Sequence, residues 1–300
     1  MVKQKKLSKK LFSIPNILIA LYLIFNIAIM LFPLFFMFLN AFKSDEQITL
    51  APFGFPKGFQ DFANNVKDVF NGTITKNGTI RNSSLTPYLT MLKNTVILTI
   101  FPLLIMLVCS TLCAYGISRT KFRMKKWVMA LLLLCQTVPY FGYMYPMFFE
   151  LNFLGMIDHL WGVCLVYVAV SLPSCIILML GFYQSFPKEI EEQAMIDGCN
   201  EVKKFLMIIV PMSAGMIATM AIINFMGFWN EFAIASLMLT SPKNRTLNMG
   251  VFLMQNDMKG ITSKNYVFAL LSMSAIPNLL FFTIFQKRII NGLTIGSLKG

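Results

Sequence analysis

Long uncharged stretches, broken by short charged ones, dominate this chain. Residues 11–42, 94–118, 127–149, 160–187, 205–230 and 265–286 contain no Asp, Glu, Lys, Arg or His. About 20 apolar residues, rising 1.5 Å each, cross the roughly 30 Å hydrocarbon core of a bilayer, and every one of these stretches is long enough. Leu131-Leu132-Leu133-Leu134 and Ile176-Ile177-Leu178-Met179-Leu180 are apolar on every face. Transmembrane strands alternate instead, so a barrel is excluded. The pattern predicts an all-α polytopic membrane protein with six spans at about 17–39, 94–117, 127–149, 160–182, 206–230 and 266–286. They make one transmembrane domain, 17–286, with a basic tail at 1–16, a cytoplasmic loop at 183–205 and a second tail at 287–300. Pro33, Pro102, Pro139, Pro173, Pro211 and Pro277 put a proline in or beside each span. Kinks of this kind are tolerated where neighbouring helices satisfy the freed carbonyls, which argues for a packed bundle.

Composition agrees: of 300 residues, 56% are hydrophobic and 13% charged, and the mean hydropathy is +0.66. Soluble domains carry roughly 25% charged residues. The net charge of +13 follows membrane topology rather than a nucleic-acid surface. Lys3, Lys5, Lys6, Lys9 and Lys10 precede the first stretch, and Arg119, Lys121, Arg123, Lys125 and Lys126 fill the loop between the second and third. Lys188, Lys203, Lys204, Lys287, Arg288 and Lys299 lie on the same side. Positive charge gathers on cytoplasmic loops, so both termini are expected in the cytoplasm, where their lysines meet anionic headgroups. No nucleic acid is expected as a partner. The first apolar stretch outruns the 7–15 residues of a signal peptide and has no small-residue cleavage site. It is read as an anchor and the first span.

Candidate chemistry is sparse. Cys109, Cys113, Cys135, Cys164 and Cys175 lie within expected spans and Cys199 in the cytoplasmic loop, so they are read as small apolar residues rather than a disulfide framework or metal site. The single histidine, His159, has no ligating neighbour in sequence. There is no G-x-x-x-x-G-K-[ST] phosphate loop, no G-x-S-x-G and no H-E-x-x-H. No cofactor is expected, and no enzymatic activity. The sequons at Asn71, Asn77, Asn82 and Asn244 are read as polar turns.

The cytoplasmic loop is better punctuated. Pro187 suits a first helical turn, and Glu189, Glu191 and Glu192 complement the positive pole of a helix dipole. Gly198 permits the left-handed residue that ends a helix, and Asn200 is placed to cap the next one. Ile190, Ala194 and Gly198 recur every four residues, leaving a small-residue stripe where another surface could approach. Packing on the chain's own spans is the competing account. Five acids, Glu189, Glu191, Glu192, Asp197 and Glu201, outnumber the lysines between 183 and 204, which disfavours lying flat on anionic lipid.

Glu192-Gln193-Ala194, then Gly198, then Ile208-Ile209-Val210-Pro211 resembles the EAA loop of ABC-importer membrane subunits: E-A-A, three residues, G, nine residues, I-x-L-P. Gln193 and Val210 depart from the pattern; the spacing is intact. The resemblance extends along most of the chain to the MalG-like members of the maltose-type carbohydrate permeases. Asn40-Ala41-Phe42-Lys43, Ala114-Tyr115-Gly116-Ile117-Ser118-Arg119, Phe228-Trp229-Asn230-Glu231-Phe232 and the tail from Gly292 to Gly300 carry it, and the stretch from about Asp61 to Thr86 is least like the family. What the resemblance implies is a binding-protein-dependent importer of sugar. This subunit would pair with a second homologous permease in a heterodimer, sit on two ABC ATPase subunits and receive sugar from an extracytoplasmic sugar-binding protein. The ATP chemistry would belong to the partner. The EAA helix would be the coupling helix, with Glu191, Glu192, Ala194, Asp197 and Gly198 at the ATPase contact, and Gly198→Asp would uncouple transport.

The family's loop between the last two spans probes the binding protein, which here implicates Asn248, Gln255, Asn256 and Asp257; an ordinary solvated loop is the alternative. The tail from Gly292 would reach the ATPases. Asn224, Trp229, Asn230 and Glu231 are the polar candidates for the translocation path, because an intramembrane or interfacial acid is a functional candidate by default. Trp229 equally suits the interfacial aromatic belt. An ion-coupled carrier would show mid-membrane charges and inverted repeats, and neither is visible. Peptide, amino acid or phosphate remain possible alternative cargoes.

Overall fold

The computed structural model describes residues 14–76, 79–82, 85–121, 123–255 and 263–297. Among the described residues its regular structure is helical except for one short hairpin. The chain divides into two units, Met1–Ser84 with Met254–Ala275, and Leu85–Leu253 with Ile276–Gly300.

The first unit is built on α1 (Ile14–Ala41), whose apolar residues face outward along most of its length. After it come α2 (Asp45–Leu50), capped by the Ser44 hydroxyl accepting from the Gln47 N–H, and α3 (Gln60–Asn71), which ends at Gly72 with a left-handed φ of 66°. Strands β1 (Ile74–Lys76) and β2 (Thr79–Asn82) pair antiparallel, Lys76 opposite Thr79. Alternating β-branched residues around an Asn-Gly dipeptide are a hairpin signal. Lys43, 1% exposed, holds the turn after α1: its ammonium donates to Asn40 Oδ1 at 3.0 Å and to the carbonyls of Ala51 and Pro52 at 3.2 and 2.7 Å. Asn65 ties α3 to the same corner through the carbonyls of Ala41 and Lys43. The first part of α14 (Lys264–Ser297) closes the unit. Its Lys264 N–H donates to Asp45 Oδ1 and its Asn265 amide to Asn65 Oδ1.

The second unit centres on α4 (Tyr88–Arg119) against α7 (Leu160–Gln184). Leu98, Met106, Ala114, Cys164, Tyr167, Cys175, Met179 and Tyr183 are buried between them. Buried cysteine here fills core volume as a small apolar residue. Between these helices lie α5 (Lys125–Thr137) and α6 (Tyr140–Phe153), which meet at an angle of 105°. The sequence pattern predicts one span over 127–149, with Pro139 as the site of a kink. Pro139 divides it, because the ring disfavours helical backbone at the preceding residue, and Val138 is extended, with ψ 122°.

After helix α8 (Lys188–Ile196) comes α9 (Glu201–Lys204), a π-helical turn (Phe205–Ile209), α10 (Val210–Met212) and α11 (Ala214–Asn230). Pro211 accounts for that widened turn, since its missing N–H and bulky ring break the regular i to i−4 ladder. The pair from Glu201 to Asn230 bends by 69° at Ser213. Short helices α12 (Ala233–Met238) and α13 (Leu247–Gln255) complete the unit with the latter part of α14. Among the described residues, four helices are long and apolar enough to cross a membrane, or up to six spans if each bent pair counts as one.

Candidate functional site

Helix α8 has the boundaries that its punctuation predicts. Pro187 stands immediately before it with φ −59°, and Gly198 follows it with φ 81°. The end is a Schellman arrangement: the Cys199 N–H reaches back to Ala194 O at 3.0 Å and the Gly198 N–H to Met195 O at 3.1 Å. Asn200 caps α9, its side chain accepting from the Lys203 N–H at 2.8 Å.

The two faces of α8 differ. Glu191 and Ala194 are 6% and 4% exposed, facing inward, whereas Glu192, Asp197 and Gly198 are exposed together with Met195 and Ile196, the last at 85%. Glu191 is the centre of a buried ionic node. Its Oε1 lies 2.5 Å from both Nε and Nη2 of Arg119, at the last residue of α4. Its Oε2 accepts from the Tyr115 hydroxyl at 3.0 Å and lies 3.7 Å from Lys204 Nζ, which also donates to Glu201 at 2.9 Å. Tyr115 in turn packs its ring edge-on to Tyr183 and against Phe205. One carboxylate therefore joins α8 to α4 and α9. Buried charges of this kind persist only when paired and hydrogen-bonded.

At the opposite end of the unit, Glu231 follows α11 and takes four hydrogen bonds. Tyr140 donates to Oε1 at 2.8 Å, Tyr167 to Oε2 at 2.5 Å, and the N–H groups of Ile234 and Ala235, in the first turn of α12, at 2.7 and 3.2 Å. Tyr167 also stacks on Phe228. Trp229 is buried, with its ring stacked on Phe225, and its carbonyl accepts from the Asn248 amide at 2.7 Å. Asn224 donates to the Met220 carbonyl and to Cys175 Sγ. Asn230 is exposed and accepts from Asn278 at 3.0 Å. Trp229, Glu231 and Asn248 are thus brought into one neighbourhood. Asn256 and Asp257 lie outside the described residues, as does the side chain of Gln255.

The loop that follows α12 is pinned by Asp158, a non-glycine residue at φ 61°. Its carboxylate accepts from the N–H groups of Thr240 and Ser241 and from the Ser241 hydroxyl. Burial alone would raise its pKa, but these bonds and Asn244 outweigh it and bring the group down to about 2. Asn94 of α4 adds two bonds, to the carbonyls of Lys243 and Arg245 at 2.8 and 2.9 Å.

Sequence reasoning missed Arg119 and Lys204 as partners of Glu191, and Tyr140 and Tyr167 as partners of Glu231. Arg119 stood in a motif and Lys204 in a basic cluster, but neither position carries a local sign of its contact. Asp158 had a faint signal, an acid two residues before a span.

Comparison with known proteins places this geometry in context. Residues 106–294 match the model of a family described as binding-protein-dependent transport system inner membrane component. The chain belongs to that family: it is a multi-pass inner-membrane protein and a transport subunit rather than an enzyme. The galactooligosaccharides transport system permease protein GanQ of Bacillus subtilis is 33% identical over 213 residues, 71% of this chain and 75% of its own. The trehalose/maltose transport system permease protein MalG of Thermococcus litoralis is 32% identical over 209 residues, 70% and 75% of the two chains. The diacetylchitobiose uptake system permease protein NgcG of Streptomyces coelicolor is 26% identical over 273 residues, 90% and 85%. In fold, the chain is similar to the crystal structure of a bacterial ABC transporter involved in the import of the acidic polysaccharide alginate. The TM-score is 0.76 at 21% identity, covering 91% of this chain and 96% of that one.

Proposed function

We propose that this chain is the membrane-spanning permease subunit of an ATP-driven importer that moves a sugar or oligosaccharide into the cytoplasm, with α8 as its coupling helix. In this reading each bent pair is one span, giving six spans with both termini in the cytoplasm. A second permease, two ABC ATPases and an extracytoplasmic sugar-binding protein complete the assembly. The observation that carries it is the two-faced α8. Its inner face is fastened to the spans by the Glu191 node, and its outer face offers Glu192, Met195, Ile196 and Asp197 to a partner. A lever needs both features: a rigid attachment on one side and a free contact surface on the other. Closure of the ATPases would move α8, and the ion pairs would carry that movement into α4. Sugar as cargo is supported by the relatives, whose names refer to galactooligosaccharides, trehalose, maltose and diacetylchitobiose.

Asn224, Trp229, Asn230 and Glu231 remain the proposed path residues. Among them Asn230 is the exposed one, and Glu231 supports the path by holding the helices that line it. Asn248, Gln255, Asn256 and Asp257 belong to the loop proposed to meet the binding protein.

Ile196→Asp tests the coupling surface without disturbing the node. The expected result is roughly tenfold weaker capture of the ATPase subunits by the purified permease pair, as for a central apolar contact, with membrane yield unchanged. Undiminished capture and uptake would refute the assignment of α8. ATP-dependent uptake of labelled oligosaccharides into vesicles holding the whole complex tests the cargo, and import of peptide or amino acid instead would overturn it.

A further inference from the structure

The segment from the end of α2 to the start of α3 reads Leu50-Ala51-Pro52-Phe53-Gly54-Phe55-Pro56-Lys57-Gly58-Phe59, and its large apolar side chains are mostly exposed, although Phe53 and Phe59 each touch aromatic rings of the same unit. Leu50, Phe53, Phe55 and Phe59 are 77%, 68%, 85% and 78% exposed. Four such residues within ten are unusual for a loop in water, where large apolar patches mark an interaction surface.

The position of Phe53 indicates what covers them. Its ring lies 6.4 Å from that of Phe32 and 5.2 Å from that of Phe36, both on α1. These residues precede Ala41, the last of α1, by nine and five positions, so at 1.5 Å per residue Phe53 sits about 7–14 Å below the end of that helix. The segment folds back along a span instead of projecting from it. Its apolar face continues the exposed one of α1, where Ile29, Phe32 and Phe35 are each more than half exposed.

Irregular backbone in the hydrocarbon needs its polar groups satisfied inside the protein, whereas the headgroup boundary also supplies water to them. Part of this backbone is satisfied internally. Pro52 and Pro56 have no N–H to satisfy. The Ala51 N–H donates to Gln47 O and the Gly54 N–H to Ala51 O, and the buried Lys43 ammonium donates to the carbonyls of Ala51 and Pro52. Lys57, exposed beside the phenylalanines, is placed to reach a headgroup phosphate.

We infer that residues 50–59 form an interfacial anchor inserted into the outer leaflet of the bilayer, at the boundary of headgroups and acyl chains. Interfacial segments bury their apolar face about 5–10 Å into that boundary, a depth that matches the position of Phe53. The anchor fixes the outer end of α1 and, through Lys43, the corner where α2 and α3 begin. This inference rests on α1 being a span.

The test uses the full chain, assembled with its partner subunits in vesicles of phosphatidylethanolamine and phosphatidylglycerol, with and without acyl-brominated phosphatidylcholine. Phe55→Trp and Phe59→Trp are each measured as a difference from the parent, and Leu23→Trp serves as a reference within α1. The inference expects blue-shifted emission at 55 and 59, about twofold quenching by brominated lipid and little quenching by aqueous iodide. Iodide quenching without lipid quenching would place the segment in water, and protection from both quenchers would place it against a protein partner; either overturns the anchor. If Leu23→Trp also escapes brominated lipid, the span itself fails. Quenching at 23 but not at 55 or 59 removes the anchor alone.

Discussion

Glu191 and Glu231 stand at opposite ends of the second unit, and each joins several helices through one carboxylate. Glu191 is met by an arginine, a lysine and a tyrosine. Glu231 is met by two tyrosines and two backbone N–H groups, with no cation among its hydrogen-bond partners. The difference is instructive. The Glu191 node combines long charged side chains gathered from three helices. The Glu231 node uses neutral donors fixed on rigid backbone and aromatic rings. Hydrogen bonds to ionised donors are roughly twice as strong as neutral ones, but they also need their charges matched. The first arrangement suits an attachment under load, the second a fixed joint.

The sharpest way to break this comparison is to remove Glu191. Glu191→Ala leaves Arg119 and Lys204 buried without their shared counter-charge, and truncating one partner of a buried pair costs about 3–5 kcal/mol. The expected outcome is a large loss of thermal stability and of uptake in reconstituted complexes. Reversing the pair, with Glu191→Arg and Arg119→Glu together, should recover part of both relative to Glu191→Arg alone, short of the parent because Lys204 then faces a second cation. A double variant no better than either single one would show that the pair does not act as a unit.

Removing a donor from the Glu231 node should do less. Tyr140→Phe deletes one of four hydrogen bonds and leaves Glu231 three donors, for about 1 kcal/mol. Glu231→Leu strands two hydroxyls and two N–H groups, and the cost rises to about 2–3 kcal/mol because unsatisfied buried donors pay their desolvation in full. Chemical denaturation of the purified permease pair reads both. If Tyr140→Phe proves as damaging as Glu191→Ala, the two nodes are not different in kind.

How much of this was visible in the sequence divides along the same line. Spans are legible because a bilayer demands a run of apolar residues that no contact can replace. The limits of α8 are legible because Pro187 and Gly198 act through their own backbone geometry. The break at Val138 was only half legible: Pro139 signals a kink, but an angle of 105° depends on what α5 and α6 pack against. Which glutamate turns inward was not legible at all. Glu191 and Glu192 are neighbours of equal chemistry, and the choice between them is made by Arg119, 72 residues away. The Glu231 node is likewise assembled from Tyr140 and Tyr167, on two other helices.

Gly198 separates backbone from partner. A Cβ there would meet nothing of this chain within 4 Å, yet its φ is 81°. Gly198→Ala should therefore cost about 1 kcal/mol through the left-handed backbone alone, whereas Asn and Asp tolerate that region better. If Gly198→Asp nonetheless lowers uptake more than Gly198→Ala, at equal yield, the excess arises from the surface that α8 meets. Equal losses would reduce Gly198 to a helix terminator.

Asp158 offers the smallest and most local test, and it extends the comparison to a third carboxylate, one near water. Its acceptors hold the N–H groups of Thr240 and Ser241, and its pKa is lowered from 3.8 to about 2. A depressed folded-state value means that the carboxylate's stabilisation is fully present above the unfolded pKa and is lost as the pH falls from about 4 through 2. At neutral pH, Asp158→Asn should therefore raise amide exchange at Thr240 and Ser241 by about three- to tenfold, the equivalent of one net hydrogen bond. Asn keeps the left-handed backbone at φ 61° accessible, so the change reports the carboxylate and not strain. The gap between the two proteins should close on acidification, because the parent's own carboxyl becomes protonated. A gap that persists unchanged at pH 2 would mean that the loop is held by Asn94 and Asn244 without help from this charge.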